Sequence, residues 1–224
     1  MRLGSCATTK IEMLEPRQLF SIPSAWNSVI NNPFMPAIAG MKWVYSGKKD
    51  GQRTADIQIV SSHKHLVDGV ATTAILDRGY VAGKLEEKTF DYFAQDLFGN
   101  VWYFGEDTEE LKPNGQVDNT EGTWHAGVNG AKPGIVMEAS PVKGDFYHQE
   151  FAGNVAQDEA QILGLHQSTT VPFGTFNDSL LTKEFSPLEP GVIEHKYYVA
   201  GIGFVSSIST AGESEVLNLV SFTP

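Results

Sequence analysis

The stretch that most constrains the fold is Glu86–Asp107, which carries two aromatic-rich runs separated by a short polar turn. The runs are Thr89–Ala94 and Val101–Phe104, with Gly99 and Asn100 between them, a pattern typical of a β-hairpin. Six aromatic residues lie in these runs: Phe90, Tyr92, Phe93, Trp102, Tyr103 and Phe104. A ribbon with this much apolar surface must pack against another layer or curl together with further strands.

Other segments of the chain alternate apolar and polar residues and end in Gly-, Asp- or Asn-containing turns such as Asp68-Gly69, as strands do. They are Met41–Ser46, Arg53–Ser61, Val70–Asp77, Asp158–Val171, Asp178–Phe185, Ile193–Ala200, Gly203–Ser209 and Ser214–Phe222. No long amphipathic helix interrupts them. The sequence therefore predicts about ten to twelve strands in one all-β domain over residues 32–224. We expect a single antiparallel curved sheet, a half-barrel or barrel-like meander, with a β-sandwich as the alternative.

Composition excludes several classes of function. The net charge of -11 and the sequence pI of about 4.9 disfavour binding to nucleic acid, because an acidic surface repels phosphate. The single cysteine, Cys6, rules out a disulfide within the chain. No apolar run reaches the roughly 18 residues of a transmembrane helix, so no membrane span is predicted.

Residues 1–31 differ from the rest and are predicted to be a non-globular export or sorting segment. Its core, Leu14–Phe20, reads LEPRQLF. It resembles the LEPR-x-LL segment found near the N-terminus of many exported bacterial surface proteins, with Phe20 in place of the second leucine. The resemblance implies export, to the cell envelope or the extracellular space.

Three stretches of the remaining chain resemble an uncharacterised family of exported bacterial all-β proteins: Asn32–Gly47, Asp91–Thr108 and Glu194–Val205. The opening pattern of that family, Asn-Pro-aromatic, a turn, then Trp-x-Tyr, is matched by six residues here. They are Asn32, Pro33, Phe34, Gly40, Trp43 and Tyr45. The general pattern is also similar to envelope proteins built on a curved sheet, such as lipoprotein-carrier half-barrels. The family implies no activity.

Motifs for chemistry are weak. A Gly-x-Ser-x-Gly nucleophile motif is absent, and Gly201-Ile202-Gly203 lacks the third glycine and the following helix of a dinucleotide site. His63 and His65 alternate on one strand and are best interpreted as surface histidines. We therefore predict no catalytic residue, no metal site and no cofactor, although the oxygen-rich acidic clusters leave calcium binding open.

The candidate ligand-binding residues are aromatic, acidic or imidazole side chains that a curved sheet can gather on its concave face. They are Trp43, Tyr45, Tyr92, Trp102, Trp124, Tyr197, Glu106, Glu150, Glu184, Glu194 and His195. The same rings, packed as ordinary core and cross-strand pairs, need no ligand. His195 and Tyr197 share one face of their strand, and Glu194 lies on the other.

The sequence thus predicts an exported or cell-envelope protein without enzymatic activity that binds a hydrophobic or carbohydrate ligand on a concave aromatic face. The partner would be a small molecule, a lipid or a glycan. One alternative is an extracellular polysaccharide hydrolase or lyase that uses paired carboxylates. Another is a structural surface protein stabilised by calcium.

Overall fold

The computed structural model of the protein describes residues 22–224, so Cys6 and the export-like segment Leu14–Phe20 lie outside the described residues. Fifteen strands form one hydrogen-bonded antiparallel sheet, and residues 22–224 contain no helix. The predicted all-β class and single curved sheet are confirmed. Thirteen strands follow one path of paired neighbours, and the short strands β6 and β7 pair with β5 beside it, so the alternative of two packed sheets does not apply.

The strands fall into an N-terminal group, a set of short central pieces and a C-terminal group. The N-terminal group is β1 (Lys42–Lys49), β2 (Gln52–Val67), β3 (Val70–Val81), β4 (Lys84–Gln95) and β5 (Val101–Leu111). The central pieces are β6 (Val117–Asn119), β7 (Trp124–His125), β8 (Lys132–Met137), β9 (Phe146–His148) and β10 (Glu150–Phe151). The C-terminal group is β11 (Glu159–Val171), β12 (Gly174–Phe185), β13 (Ile193–Val199), β14 (Gly203–Ala211) and β15 (Glu215–Thr223).

Two meanders meet in the middle of the sheet. β1 to β5 pair in chain order, as do β11 to β15, and the first strand pairs with the last, for example at Trp43 and Phe222. The turns within each meander are short. Asp68 and Gly69 both have positive φ, at 48° and 78°, which is the backbone of the predicted two-residue hairpin turn. Register shifts such as the one at Tyr92/Phe93 mark β-bulges, which bend strands and so curve the sheet.

The two edges of the sheet approach each other at one residue. β9 pairs with β11 at one edge and β10 pairs with β8 at the other, and only Gln149 separates β9 from β10. The Gln149 backbone N–H donates to the Asp158 carbonyl oxygen at 2.7 Å, and the Glu150 carboxylate accepts from the Asp158 backbone N–H at 3.2 Å. The ladder itself stays open, and the curved sheet surrounds an interior that is partly open to solvent.

The close approach of the two sheet edges at Gln149 depends on the absence of a side chain at Gly134 of β8. A Cβ at this position would overlap the carbonyl oxygen of His148 and the backbone of Gln149. We expect Gly134→Ala to lower the free energy of unfolding by about 2–3 kcal/mol, the cost of forced overpacking, measured by urea unfolding. The matched control is Gly79→Ala in β3, whose Cβ would find ordinary contacts of 3.6 Å and 3.7 Å and should change stability little. Equal effects of the two substitutions would contradict this account of the edge contact.

Residues 22–31, predicted to lie outside the domain, pack against the sheet. The Trp26 ring meets those of Trp102 and Phe104 edge-on, with centroids 6.0 Å and 5.1 Å apart, and the Asn27 backbone N–H donates to the Gln95 carbonyl oxygen at 2.8 Å. Ile30 is 1% exposed. The globular part therefore begins earlier than residue 32, because Trp26 packs on the β4–β5 hairpin and Ile30, which is bridged to Ala37, is buried in the core. Within residues 22–224 no helix has the length and hydropathy of a membrane span.

Candidate functional site

The interior of the curved sheet holds a cavity of about 400 Å³. Side chains from both meanders line it, together with Met35 and Pro36 from the segment before β1. Six of the lining residues are aromatic: Trp43, Tyr45, Phe93, Tyr103, Tyr198 and Phe204. The polar atoms of two of these rings are already bonded to the backbone, since Trp43 Nε1 donates to the Ile202 carbonyl at 2.7 Å and the Tyr45 hydroxyl donates to that of Phe204 at 3.1 Å. These rings form a fixed wall.

The cavity is strongly acidic. Eight carboxyl groups line it: Asp56, Asp77, Asp91, Glu150, Asp158, Glu184, Glu194 and Glu215. Among the described residues that line it, Lys196 is the one cationic side chain. Such an excess of carboxylates inside a sheet costs free energy in the empty state, because each charge is partly removed from water and repels the others.

Strand alternation turns three aspartates inward from adjacent strands. Asp56 in β2 lies opposite Tyr45 in β1, and Asp91 in β4 lies opposite Ile75 in β3. Asp77 is two residues after Ile75 in β3 and therefore lies on the same inward face. Aspartate is disfavoured in the middle of strands, so three of them on one inner face is unusual. We call Asp56, Asp77 and Asp91 the acidic wall.

The acidic wall is only partly satisfied by its own neighbours. Gln58 Nε2 donates to Asp77 Oδ2 at 2.7 Å, but Asp77 Oδ1 exposes less than 1 Å² and has no hydrogen-bond partner among the described residues. Burial, followed by the charge of Asp77, raises the pKa of Asp56 to about 7. Burial also raises the pKa of Asp77 to about 6, against the opposing effect of its Gln58 hydrogen bond. At neutral pH this wall holds both protons and negative charge.

A second carboxyl pair shares the hydroxyl group of Tyr103. The Tyr103 oxygen lies 2.7 Å from Asp91 Oδ1 and 3.1 Å from Glu106 Oε2. One hydroxyl proton cannot donate to both carboxylates at full strength, so the second contact favours a proton on one of them. Burial raises the pKa of Glu106 to about 7 and that of Asp91 well above its usual value. Tyr103 therefore joins two acids that hold at least one proton near neutral pH.

The β12–β13 side of the cavity contains a partly buried ion-pair cluster of Lys196, Glu184 and Glu194, whose side chains are 27%, 7% and 25% exposed. Lys196 Nζ lies 2.9 Å from Glu184 Oε2 and 3.3 Å from Glu194 Oε2. Glu184 Oε1 accepts from the hydroxyl groups of Thr182 and Tyr198, both at 2.8 Å. Burial alone would raise the pKa of Glu184, but the Lys196 charge and these hydrogen bonds outweigh it and lower the pKa. Glu184 is therefore ionised and fully bonded, unlike the acidic wall.

Glu150 lies where the two edges of the sheet meet. Its side chain is 5% exposed, and burial together with the charge of Asp158 raises its pKa to about 8. Burial likewise raises the pKa of Asp158. The pair adds a third set of carboxyl groups to the cavity.

Five of the residues predicted from the sequence line this cavity: Trp43, Tyr45, Glu150, Glu184 and Glu194. Glu106 reaches it only through Tyr103, and Trp124 packs edge-on against the Tyr103 ring with centroids 5.4 Å apart. Tyr92 stacks on His65 and donates its hydroxyl proton to Asp107 at 2.6 Å.

The other predicted residues lie away from the cavity lining. Trp102 donates from Nε1 to Asp96 Oδ2 at 3.0 Å, beneath Trp26. His195 and Tyr197 alternate with Glu194 and Lys196 along β13, and only the latter two line the cavity. Strand alternation therefore separates His195 from Glu194.

The positions of the acidic side chains in and beside the cavity do not favour a metal site. Among residues 22–224, one group of three acidic side chains, Glu194, Glu213 and Glu215, has ligand atoms within 4.8 Å of one another. Ammonium groups already contact all three, since Lys49 Nζ lies 3.4 Å from Glu213 and 3.1 Å from Glu215, and Lys196 lies beside Glu194. A divalent ion at this point would have to displace Lys49.

Comparisons with known proteins add little to this geometry. No family model matches the sequence. No curated protein is significantly similar to it. Among solved structures, a "putative lipoprotein" from Parabacteroides distasonis is similar to this chain at 12% identity, with a TM-score of 0.45, over 86% of this chain and 99% of that one.

Proposed function

We propose that this protein is an exported or cell-envelope binding protein that holds a small ligand in the interior of its curved sheet and performs no reaction on it. The observation that carries the proposal is the cavity of about 400 Å³ lined from both meanders. Its volume lies within the roughly 300–1,000 Å³ typical of small-molecule sites. The resemblance of Leu14–Phe20 to the LEPR-x-LL segment of exported proteins supports a location outside the cytoplasm.

The walls of the cavity suit binding because their positions are fixed before a ligand arrives. The Phe93 and Tyr103 rings stack with centroids 4.8 Å apart, and Phe204 packs against Tyr45 and Tyr198 at 5.1 Å and 5.8 Å. A preorganised pocket loses little conformational entropy when it binds a ligand. Aromatic faces beside polar groups also fix the orientation of a ligand.

A plugging substitution tests whether the cavity is the binding site. Leu217 lines the cavity, and its neighbour Val216 points to the outer face of β15, where it is 38% exposed. We expect Leu217→Trp to fill the cavity and Val216→Trp to leave it open. Binding is measured by fluorescence titration with two probes, uncharged N-phenyl-1-naphthylamine and dansylcadaverine, which carries one ammonium group.

The expected result is that at least one probe binds the natural protein and the Val216→Trp variant with similar affinity, and binds Leu217→Trp at least about tenfold more weakly. Both variants are first checked for native circular dichroism. If neither probe binds, or if Leu217→Trp binds as well as Val216→Trp does, the interior is not a ligand site and the proposal is wrong.

A second candidate function is cleavage of a polysaccharide by a hydrolase or lyase reaction. The Tyr103 hydroxyl, which contacts both Asp91 and Glu106, favours it. Two carboxyl groups, Asp91 and Glu106, contact one oxygen, and the raised pKa of each would allow one to act as an acid and the other as a base. The test is reducing-end release from a panel of bacterial and plant polysaccharides. Activity that Asp91→Asn and Glu106→Gln both abolish would replace the binding proposal, and no activity on any substrate would remove this candidate.

A further inference from the structure

The charge of the cavity points to the class of its ligand. Eight carboxyl groups line the cavity against one lining lysine, Lys196, and one lysine that reaches Glu215 from outside the lining, Lys49, so the acids remain in excess. A fatty acid or any other anion would add to this repulsion, and a neutral glycan would leave it in place. A cation would relieve it, because opposite charges a few ångströms apart favour the ionised carboxylates.

One buried atom independently indicates a missing hydrogen-bond donor. Asp77 Oδ1 is enclosed, with less than 1 Å² exposed, and has no hydrogen-bond partner of good geometry among the described residues, although the Arg78 backbone N–H also acts on this carboxyl group. Buried carboxylate oxygens in native proteins are nearly always paired, and leaving one unpaired is costly. Asp77 lines the cavity, and a ligand with an N–H group can supply a donor to its carboxyl group when a rotation of the side chain turns a carboxyl oxygen toward the ligand.

The spacing of the acids favours an extended cation over a metal ion. A metal ion needs several ligand atoms around one point, and among residues 22–224 only Glu194, Glu213 and Glu215 offer three acidic groups so close together. The acidic wall and the Glu150–Asp158 pair belong to different parts of the sheet and do not meet this condition. Charges distributed along a cavity match a molecule whose own charges are separated by a chain.

The protein itself shows how an ammonium group is held in this interior. Lys196 Nζ lies between Glu184 and Glu194 at 2.9 Å and 3.3 Å. The acidic wall offers similar carboxylates but has no cation of its own lining the cavity. Tyr45, Phe93 and Tyr103 add ring faces on the same side, and aromatic faces attract ammonium groups and pack against methylene chains.

We propose that the ligand is a small aliphatic amine with two or more ammonium groups, bound with one ammonium group at Asp77 of the acidic wall and its chain along the aromatic rings. This inference rests on the proposed binding function and specifies its ligand class. A second ammonium group pairs with another lining carboxylate.

The test is calorimetric titration of the natural protein at about pH 8 with 1,4-diaminobutane, and with 1,4-butanediol as an uncharged molecule of the same length. We expect the diamine to bind at least about tenfold more tightly than the diol, the difference expected for one good charge-assisted contact. Asp77→Asn should weaken diamine binding by at least about tenfold. The matched control Asp178→Asn, whose side chain is 81% exposed on the β12 hairpin, should bind as the natural protein does.

Asp56→Asn provides a second acidic-wall variant in case Asp77→Asn does not fold. The inference is overturned if the diol binds as well as the diamine, or if neither acidic-wall variant weakens diamine binding. It is also overturned if calcium chloride binds at this site and the diamine does not. If the uncharged naphthylamine probe binds and is excluded by Leu217→Trp while the diamine fails to bind, only the ligand class is wrong. If no probe of any charge enters the cavity, the proposed function itself fails.

Discussion

Raising the pH from about 5 to about 8.5 is expected to lower the melting temperature of the ligand-free protein by roughly 6–12 °C. The cause is the set of enclosed carboxyl groups that hold protons in the folded state. Burial raises the pKa of Asp56 to about 7, of Asp77 to about 6 and of Glu150 to about 8. In the unfolded chain the same groups titrate near pH 4.

The direction of this effect follows from proton binding. A folded-state pKa above the unfolded value means that the folded protein binds protons more tightly. The resulting stability is fully present below about pH 4 and is lost as the pH rises through the folded pKa values of about 6 to about 8. Glu184 opposes the trend weakly, because its pKa is lowered by Lys196 and its stabilising effect appears only above the unfolded value. A loss of about 3 kcal/mol is a cautious sum for several coupled groups.

Differential scanning calorimetry across this pH range measures the effect. Asp56→Asn removes one titrating group and should make the fall in melting temperature smaller, whereas the exposed control Asp178→Asn should leave its slope unchanged. A melting temperature that stays constant or rises between about pH 5 and about pH 8.5 would contradict the account of the acidic interior.

Replacing Lys196 by methionine should lower the free energy of unfolding by about 3–5 kcal/mol, the usual cost of leaving a buried charge without its partner. Lys196 Nζ contacts Glu184 and Glu194, and Glu184 is 6% exposed, so its carboxylate would lose its cation without gaining water. Urea unfolding at about pH 7 measures the change. The loss should be smaller at low pH, where a proton on Glu184 replaces the missing charge.

Lys49→Met provides the matched control. Lys49 also contacts two glutamates, Glu213 and Glu215, but its side chain is 47% exposed, so its ion pairs should contribute less than about 1 kcal/mol. The double variant Lys196→Met, Glu184→Gln should recover part of the stability, because the uncompensated charge is removed. Equal losses for Lys196→Met and Lys49→Met would show that the Lys196 cluster is not a buried ion pair.

Local patterns in the sequence were sufficient to predict most of the sheet. The aromatic runs around Gly99-Asn100 became β4 and β5, and Asp68-Gly69 formed the predicted turn. What local patterns could not predict was the pairing of distant segments. β1 pairs with β15, although the two strands lie at opposite ends of the described chain. β9 and β10 flank Gln149 and pair with opposite edges of the sheet. Both arrangements depend on how the whole sheet curves. The packing of Trp26 was missed for the same reason.

The candidate site was predicted in part. Trp43 and Tyr45 were expected on the concave face and line the cavity, whereas the acidic wall was not foreseen. Alternation within Arg53–Ser61 places Asp56 and Gln58 on one face of their strand, but it does not show which face lies inside when the interior is polar. The available signal was the presence of Asp56, Asp77 and Asp91 in the middle of three successive strands, where aspartate is disfavoured.

A crystal structure of the protein grown with 1,4-diaminobutane at about pH 8 would show whether the acidic cavity of the curved sheet holds an aliphatic amine. We expect density for the diamine inside the sheet, with one nitrogen within hydrogen-bond distance of an Asp77 carboxylate oxygen and its chain against Tyr45, Phe93 or Tyr103. A cavity filled by the protein's own side chains, or a diamine bound only on the outer surface, would contradict this expectation.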